Sequence, residues 1–126
     1  MIKALGQARR IALDTSLFIY LVEAHQIFGP AAAQIFDVVE HGKVEAATSV
    51  LTMLELLVQP YRTNNAELTA RYYALFSRFP NLRLLDLDLP TADRAAQLRA
   101  TYGLKTPDSI QVAILIVCLR YRTRRL

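Results

Sequence analysis

The chain has 126 residues, of which 53% are hydrophobic and 21% charged, with a formal net charge of +4. That length suits one domain with its own core, spanning 1–126, and that balance excludes a disordered chain. No transmembrane helix is expected either, because the most apolar run, 110–119, is interrupted by Gln111 and falls short of the ~20 residues a span needs.

Residues 1–8 carry no strong pattern and no extended apolar stretch, so no signal peptide is expected. A first strand is predicted over 10–13. Ile11, Ala12 and Leu13 are apolar in succession, which suits a strand covered on both faces of a parallel sheet. Asp14 then stands at the carboxyl end of what reads as a central strand, where ligands bind in open α/β sheets. Asp14 also fits as a plain helix cap. A first helix is expected over 15–25. Gly29-Pro30 breaks the chain, and a second helix, 31–41, has Ile35, Val38 and Val39 on one side and Gly42 at its end. A short second strand covers 44–47. Thr48 or Ser49 caps a third helix running through Leu57, which Pro60 stops. Asn64-Asn65 opens a fourth helix, 66–78. A third strand is predicted over 82–87, a fifth helix from Pro90-Thr91 to Gly103, and a sixth from Thr106-Pro107-Asp108 to Cys118 or beyond.

Cys118 lies inside the apolar run, as a small core residue rather than a nucleophile. As the lone cysteine it excludes an internal disulfide and fits a reducing cytosol, so a cytoplasmic protein is expected. The sequence pI is about 9.5. Much of that bias is local: Arg120, Arg122, Arg124 and Arg125 fall in the last seven residues. A basic end permits an anionic partner, and equally serves as a solvated terminus.

Strands alternate with helices long enough to make crossovers, which argues a three-layer α/β fold with a central parallel sheet flanked by helices. There is no internal repeat. None of the four glycines forms a dinucleotide fingerprint or a phosphate loop, which argues against nucleotide binding.

Three carboxylates stand at suggestive places: Asp14, Glu55 and Asp108. Glu55 interrupts the apolar run 53–58. Thr48, Thr52, Glu55 and Gln59 recur at helical steps, so the stripe either faces solvent or faces a partner. Asp108 suits a helix first turn, where a negative charge is stabilised by the dipole. Taken together, the three suit a hard divalent cation such as Mg²⁺ or Mn²⁺. One or two such ions activate water and stabilise in-line displacement at a phosphodiester.

The segments Ile11-Ala12-Leu13-Asp14-Thr15-Ser16, Thr48 through Leu56, and Tyr102 through Ile110 resemble the PIN domain, in this order and spacing. More narrowly they resemble the VapC-like ribonuclease toxins of toxin–antitoxin pairs. The resemblance implies a metal-dependent endoribonuclease acting on RNA, with Asp14, Glu55 and Asp108 as ligands of Mg²⁺ or Mn²⁺. Thr15 or Ser16 matches the hydroxyl beside the first aspartate. The resemblance also implies a cognate antitoxin protein and a homodimer. The family's fourth acid, expected beyond the third, has no counterpart in 119–126, so the last strand is missing or altered; Asp93 is the available substitute. The alternative is a weakened or inert module of the same fold, binding an antitoxin or RNA without cleavage. Apolar residues on the first and fourth helices (Leu17, Phe18, Leu21, Leu68, Tyr72, Leu75 and Phe76) are expected to exceed what one small core can bury, and so to supply an interface.

Overall fold

The computed structural model describes residues 10–124, with side chains described as far as Val117. The readings of Cys118 and of the side chains of Arg120, Arg122, Arg124 and Arg125 lie outside the described residues.

The elements run in the order β1 (Arg10–Ala12), α1 (Thr15–Val22), α2 (Gly29–Glu40), β2 (Glu45–Ser49), α3 (Val50–Arg62), α4 (Ala66–Arg78), β3 (Leu82–Leu85), α5 (Leu89–Tyr102) and α6 (Thr106–Arg124). The sheet is parallel, in the order β1-β2-β3. Arg10 pairs with Glu45 in register, and Ser49 with Leu85. Across the first pair Arg10 Nε also donates to Glu45 Oε2 at 3.0 Å.

The α/β alternation is therefore as the sequence predicts, with one change of place. The central strand is β2, not β1. Ala46, Ala47, Thr48 and Ser49 are buried in succession, so both faces of β2 are covered, whereas Ala12 of β1 is exposed. An apolar triplet does not distinguish an edge strand from a central one. Two neighbouring strands do, and among the described residues β1 has one.

Helix boundaries reflect local chemistry. Asn65 caps α4 by accepting from Leu68 N–H at 3.0 Å, and Gly103 ends α5 in the left-handed conformation at φ 69°. Asp88 caps α5 through Thr91 N–H at 2.9 Å; hydrogen bonds from Thr91, the side-chain one first, hold the Asp88 carboxyl below its ordinary range. Several boundaries differ from the sequence reading, among them β2, which runs over Glu45–Ser49, and β3, which ends at Leu85. Helix α1 stops at Val22, because Ala24 takes φ 51° and turns the chain out of the right-handed helix. Pro60 does not stop α3 but lies inside it. It falls in the last turn, where its missing N–H forfeits a single bond to the Leu56 carbonyl. Beyond it the turn closes through Thr63 N–H to Gln59 O at 3.0 Å and Asn65 N–H to Pro60 O at 2.9 Å. Helix α6 starts at Thr106, as the sequence predicts, with Ser109 N–H bonded to Lys105 O at 2.9 Å.

The core is built on Phe18, which is fully buried against Phe36 and Phe76 with ring centroids 5.4 and 5.2 Å away. Leu13, Val22, Ile35, Val39, Leu56, Leu57 and Tyr72 complete it. Tyr72 donates its hydroxyl to Glu23 Oε2 at 3.1 Å, and burial, together with that carboxylate, pushes its pKa well up. All the apolar residues expected to be surplus on the first and fourth helices pack in or against this core. Other large apolar residues are exposed, among them Leu54, Val58 and Tyr61, a stripe along α3 that is 60%, 40% and 57% exposed. Helix α5 packs chiefly on α6, with their own buried residues Ala95, Ala113 and Ile114, and α6 also touches β2. No described helix is long and apolar enough to cross a membrane.

Candidate functional site

Parallel strands end on one edge of a sheet, so β1 and β2 deliver the residues just beyond them to the same place. After β1 comes Asp14, exposed, with its Oδ1 accepting from Leu17 N–H at 3.3 Å. It is the N-cap of α1, so the capping reading holds. Capping uses one oxygen and leaves the other open. At the end of β2 stands Ser49, the N-cap of α3.

Glu55 sits on the second turn of α3 and is exposed. Its Oε1 accepts from Thr15 Oγ1 at 3.1 Å across forty residues of chain. Thr15 is next to Asp14 in the chain, so this bond ties Glu55 to the residue beside the first acid. The polar stripe on α3 thus does not face solvent along its length. Thr48 and Thr52 are 2% and 0% exposed, and only Glu55 and Gln59 reach the surface.

Asp108 is exposed in the first turn of α6. One turn on, Gln111 reaches α3. Its Nε2 donates to Thr52 Oγ1 at 3.1 Å, and its Oε1 accepts from Ser49 Oγ at 3.3 Å. Residues three apart share a helix face, so Asp108 leaves α6 on the side turned to α3. Sequence reasoning misses Ser49, Thr52 and Gln111 as parts of the site. The signal present is one amide inside an apolar run.

The accessory candidates fall out differently. Ser16 is exposed at the second position of α1. Asp93 lies one turn into α5, where its Oδ2 accepts from Gln97 Nε2 at 2.8 Å. Among the described residues no three of His, Cys, Asp and Glu lie close enough to hold a metal ion as they stand. The donors themselves are exposed carboxylates, hard oxygens of the kind Mg²⁺ and Mn²⁺ take.

The profile of the PIN domain family matches residues 11–117. The chain belongs to the PIN domain family. A solved structure described as a toxin–antitoxin complex from Klebsiella pneumoniae superposes on it with a TM-score of 0.64, covering 84% of this chain and 78% of that one. At 22% sequence identity the likeness is one of fold. No curated protein matches the chain. In this PIN domain the described sheet stops at three strands, and α6 continues as helix to Arg124, through the stretch where a fourth acid would be sought.

Proposed function

We propose that this PIN domain is a divalent-metal-dependent endoribonuclease, the toxin of a toxin–antitoxin pair acting in the cytoplasm. The observation that carries the reading is the Thr15–Glu55 hydrogen bond, which links the first residue of α1, beside Asp14, to an acid on the second turn of α3. Asp14, Glu55 and Asp108 would hold Mg²⁺ or Mn²⁺. When bound, the ion would activate water for attack on an RNA phosphodiester. Thr15 would orient Glu55, and the net positive chain would favour the RNA backbone. Incubating the protein with mixed RNAs, with Mn²⁺ and then with excess chelator, tests the reading. Chelator-sensitive internal cleavage supports it; no cleavage under any divalent ion leaves the alternative of an inert module that binds antitoxin or RNA.

A specific feature favours weak activity. Three carboxylates supply at most three negative charges, and the further candidate, Asp93, is engaged by Gln97. A second ion would lack ligands and charge compensation. One well-occupied metal is therefore expected, with slow cleavage in Mg²⁺ and partial rescue by Mn²⁺. Anomalous scattering from Mn²⁺-soaked crystals checks this. Two full sites within ~4 Å of each other, as in a two-metal mechanism, would overturn it.

The partners proposed are RNA, a cognate antitoxin protein and a second copy of the chain. Leu54, Val58 and Tyr61 recur at helical steps on an exposed face, and two such stripes set together would remove them from water. A homodimer is expected by analytical ultracentrifugation at micromolar concentration. Leu54→Glu with Val58→Glu should convert it to monomer, and an unaltered sedimentation coefficient would rule this interface out.

A further inference from the structure

We infer that Gln111 is a positioning residue of the acidic site, holding the three elements that carry Asp14, Glu55 and Asp108 in one arrangement. The inference rests on the reading of those acids as one metal site and adds the device that aligns them.

Proton counting fixes the direction of the hydrogen bonds. Thr48 Oγ1 lies 2.8 Å from Leu13 O and 2.9 Å from Thr52 Oγ1. A hydroxyl has one proton and a carbonyl can only accept. The Thr48 proton therefore goes to Leu13, and the Thr52 hydroxyl donates to Thr48. Thr52 Oγ1, its proton spent, needs a donor, and Gln111 Nε2 supplies it at 3.1 Å. On the other side Ser49 Oγ accepts from Thr52 N–H at 3.3 Å and so has its own proton for Gln111 Oε1, also at 3.3 Å. This orients the amide: turned over, Gln111 would set an acceptor against an oxygen with no proton to give. The relay runs one way, from amide to hydroxyl to hydroxyl to carbonyl, in a setting where Thr48, Ser49 and Thr52 are at most 2% exposed. Bonds in such a chain polarise one another, and an unpaired member is costly.

Each acid is one short step from a member of this relay. Leu13 precedes Asp14. Thr52 is three residues before Glu55, on the same face of α3. Gln111 is three residues after Asp108, on the same face of α6. Gln111 is thus the side chain through which the third acid's helix is registered on the elements bearing the other two. Residues that orient metal ligands from behind typically change metal affinity about 10–100-fold when removed.

The test is Mn²⁺ titration calorimetry on the full chain, with melting temperatures recorded for each variant. Gln111→Leu, close in shape but unable to hydrogen-bond, should weaken Mn²⁺ binding about tenfold or more. Thr52→Val should do the same, and the double variant should lose little beyond either single one, because both break one relay. Thr52→Ser keeps the hydroxyl and loses a methyl, so it should restore affinity close to wild type despite a lower melting temperature. Tyr72→Phe, remote from the relay, should melt lower with affinity unchanged. Should Gln111→Leu not fold, the Thr52→Val and Thr52→Ser pair carries the test alone. Affinity unchanged in Gln111→Leu or Thr52→Val while Asp14→Asn loses it would overturn the role of Gln111 and leave the metal site standing. Affinity that simply tracks melting temperature across all variants would reduce the relay to packing. Wild-type affinity in Asp14→Asn would overturn the metal site itself.

Discussion

Asp14→Asn is expected to abolish divalent-metal binding and to lower RNA cleavage by at least about a hundredfold, with the melting temperature nearly unchanged. The factor comes from the several kcal/mol of transition-state stabilisation an ion supplies, at tenfold per ~1.4 kcal/mol. The separation of function from stability reflects the two jobs of Asp14. As the cap of α1 it needs only an oxygen for Leu17 N–H, and the Asn amide oxygen provides one. As a metal ligand it needs the charge, which Asn lacks. Calorimetry with Mn²⁺, a fluorogenic RNA and a thermal melt separate the three quantities. A large fall in melting temperature would mean that Asp14 acts mainly as a cap, and an unaltered Mn²⁺ isotherm would remove it from the site.

The largest effect on stability is expected from Phe18→Ala. Phe18 is fully buried and touches two other rings, so its loss removes apolar contacts and leaves a cavity among Phe36 and Phe76. Substitutions of this kind cost about 3–5 kcal/mol. Domains of this size have ~5–15 kcal/mol in all, so the variant should be partly unfolded near body temperature. Urea unfolding monitored by circular dichroism measures the difference. A loss below ~1.5 kcal/mol would show that the neighbours collapse into the space, contrary to rigid packing around this ring.

Much of this architecture is legible in the sequence because local chemistry decides it. Asn65 and the apolar spacing after it place α4 over Ala66–Arg78, and Gly103 ends α5 where a left-handed residue is needed. What misleads is local evidence for non-local facts. The triplet Ile11-Ala12-Leu13 reads the same on an edge strand as on a central one, and only the strand order, with β2 between β1 and β3, tells them apart. Pro60 reads as a stop, but a proline in a last turn removes one bond only. Thr48 and Thr52 read as half of a solvated stripe, because polarity in a sequence does not say whether a partner waits inside. Gln111, whose partners lie 59 and 62 residues back, reads as a blemish in an apolar run. The acids Asp14, Glu55 and Asp108 can be picked out by type and by resemblance, but not the hydrogen bonds that link their supports.

The separation of the buried clusters bears on how the molecule opens. The main core draws on β1 through β3 and includes no residue of α5 or α6 among those described. Native proteins open in cooperative blocks, and a block with its own small core opens at lower free energy than the whole. The α5–α6 hairpin has the makings of such a block. Its detachment would expose Ala95, Ala113 and Ile114, break both bonds of Gln111, and carry Asp108 away while Asp14 and Glu55 stay in place. Amide hydrogens of α5 and α6 should then exchange by a shared sub-global opening, well before those of α2 and β2.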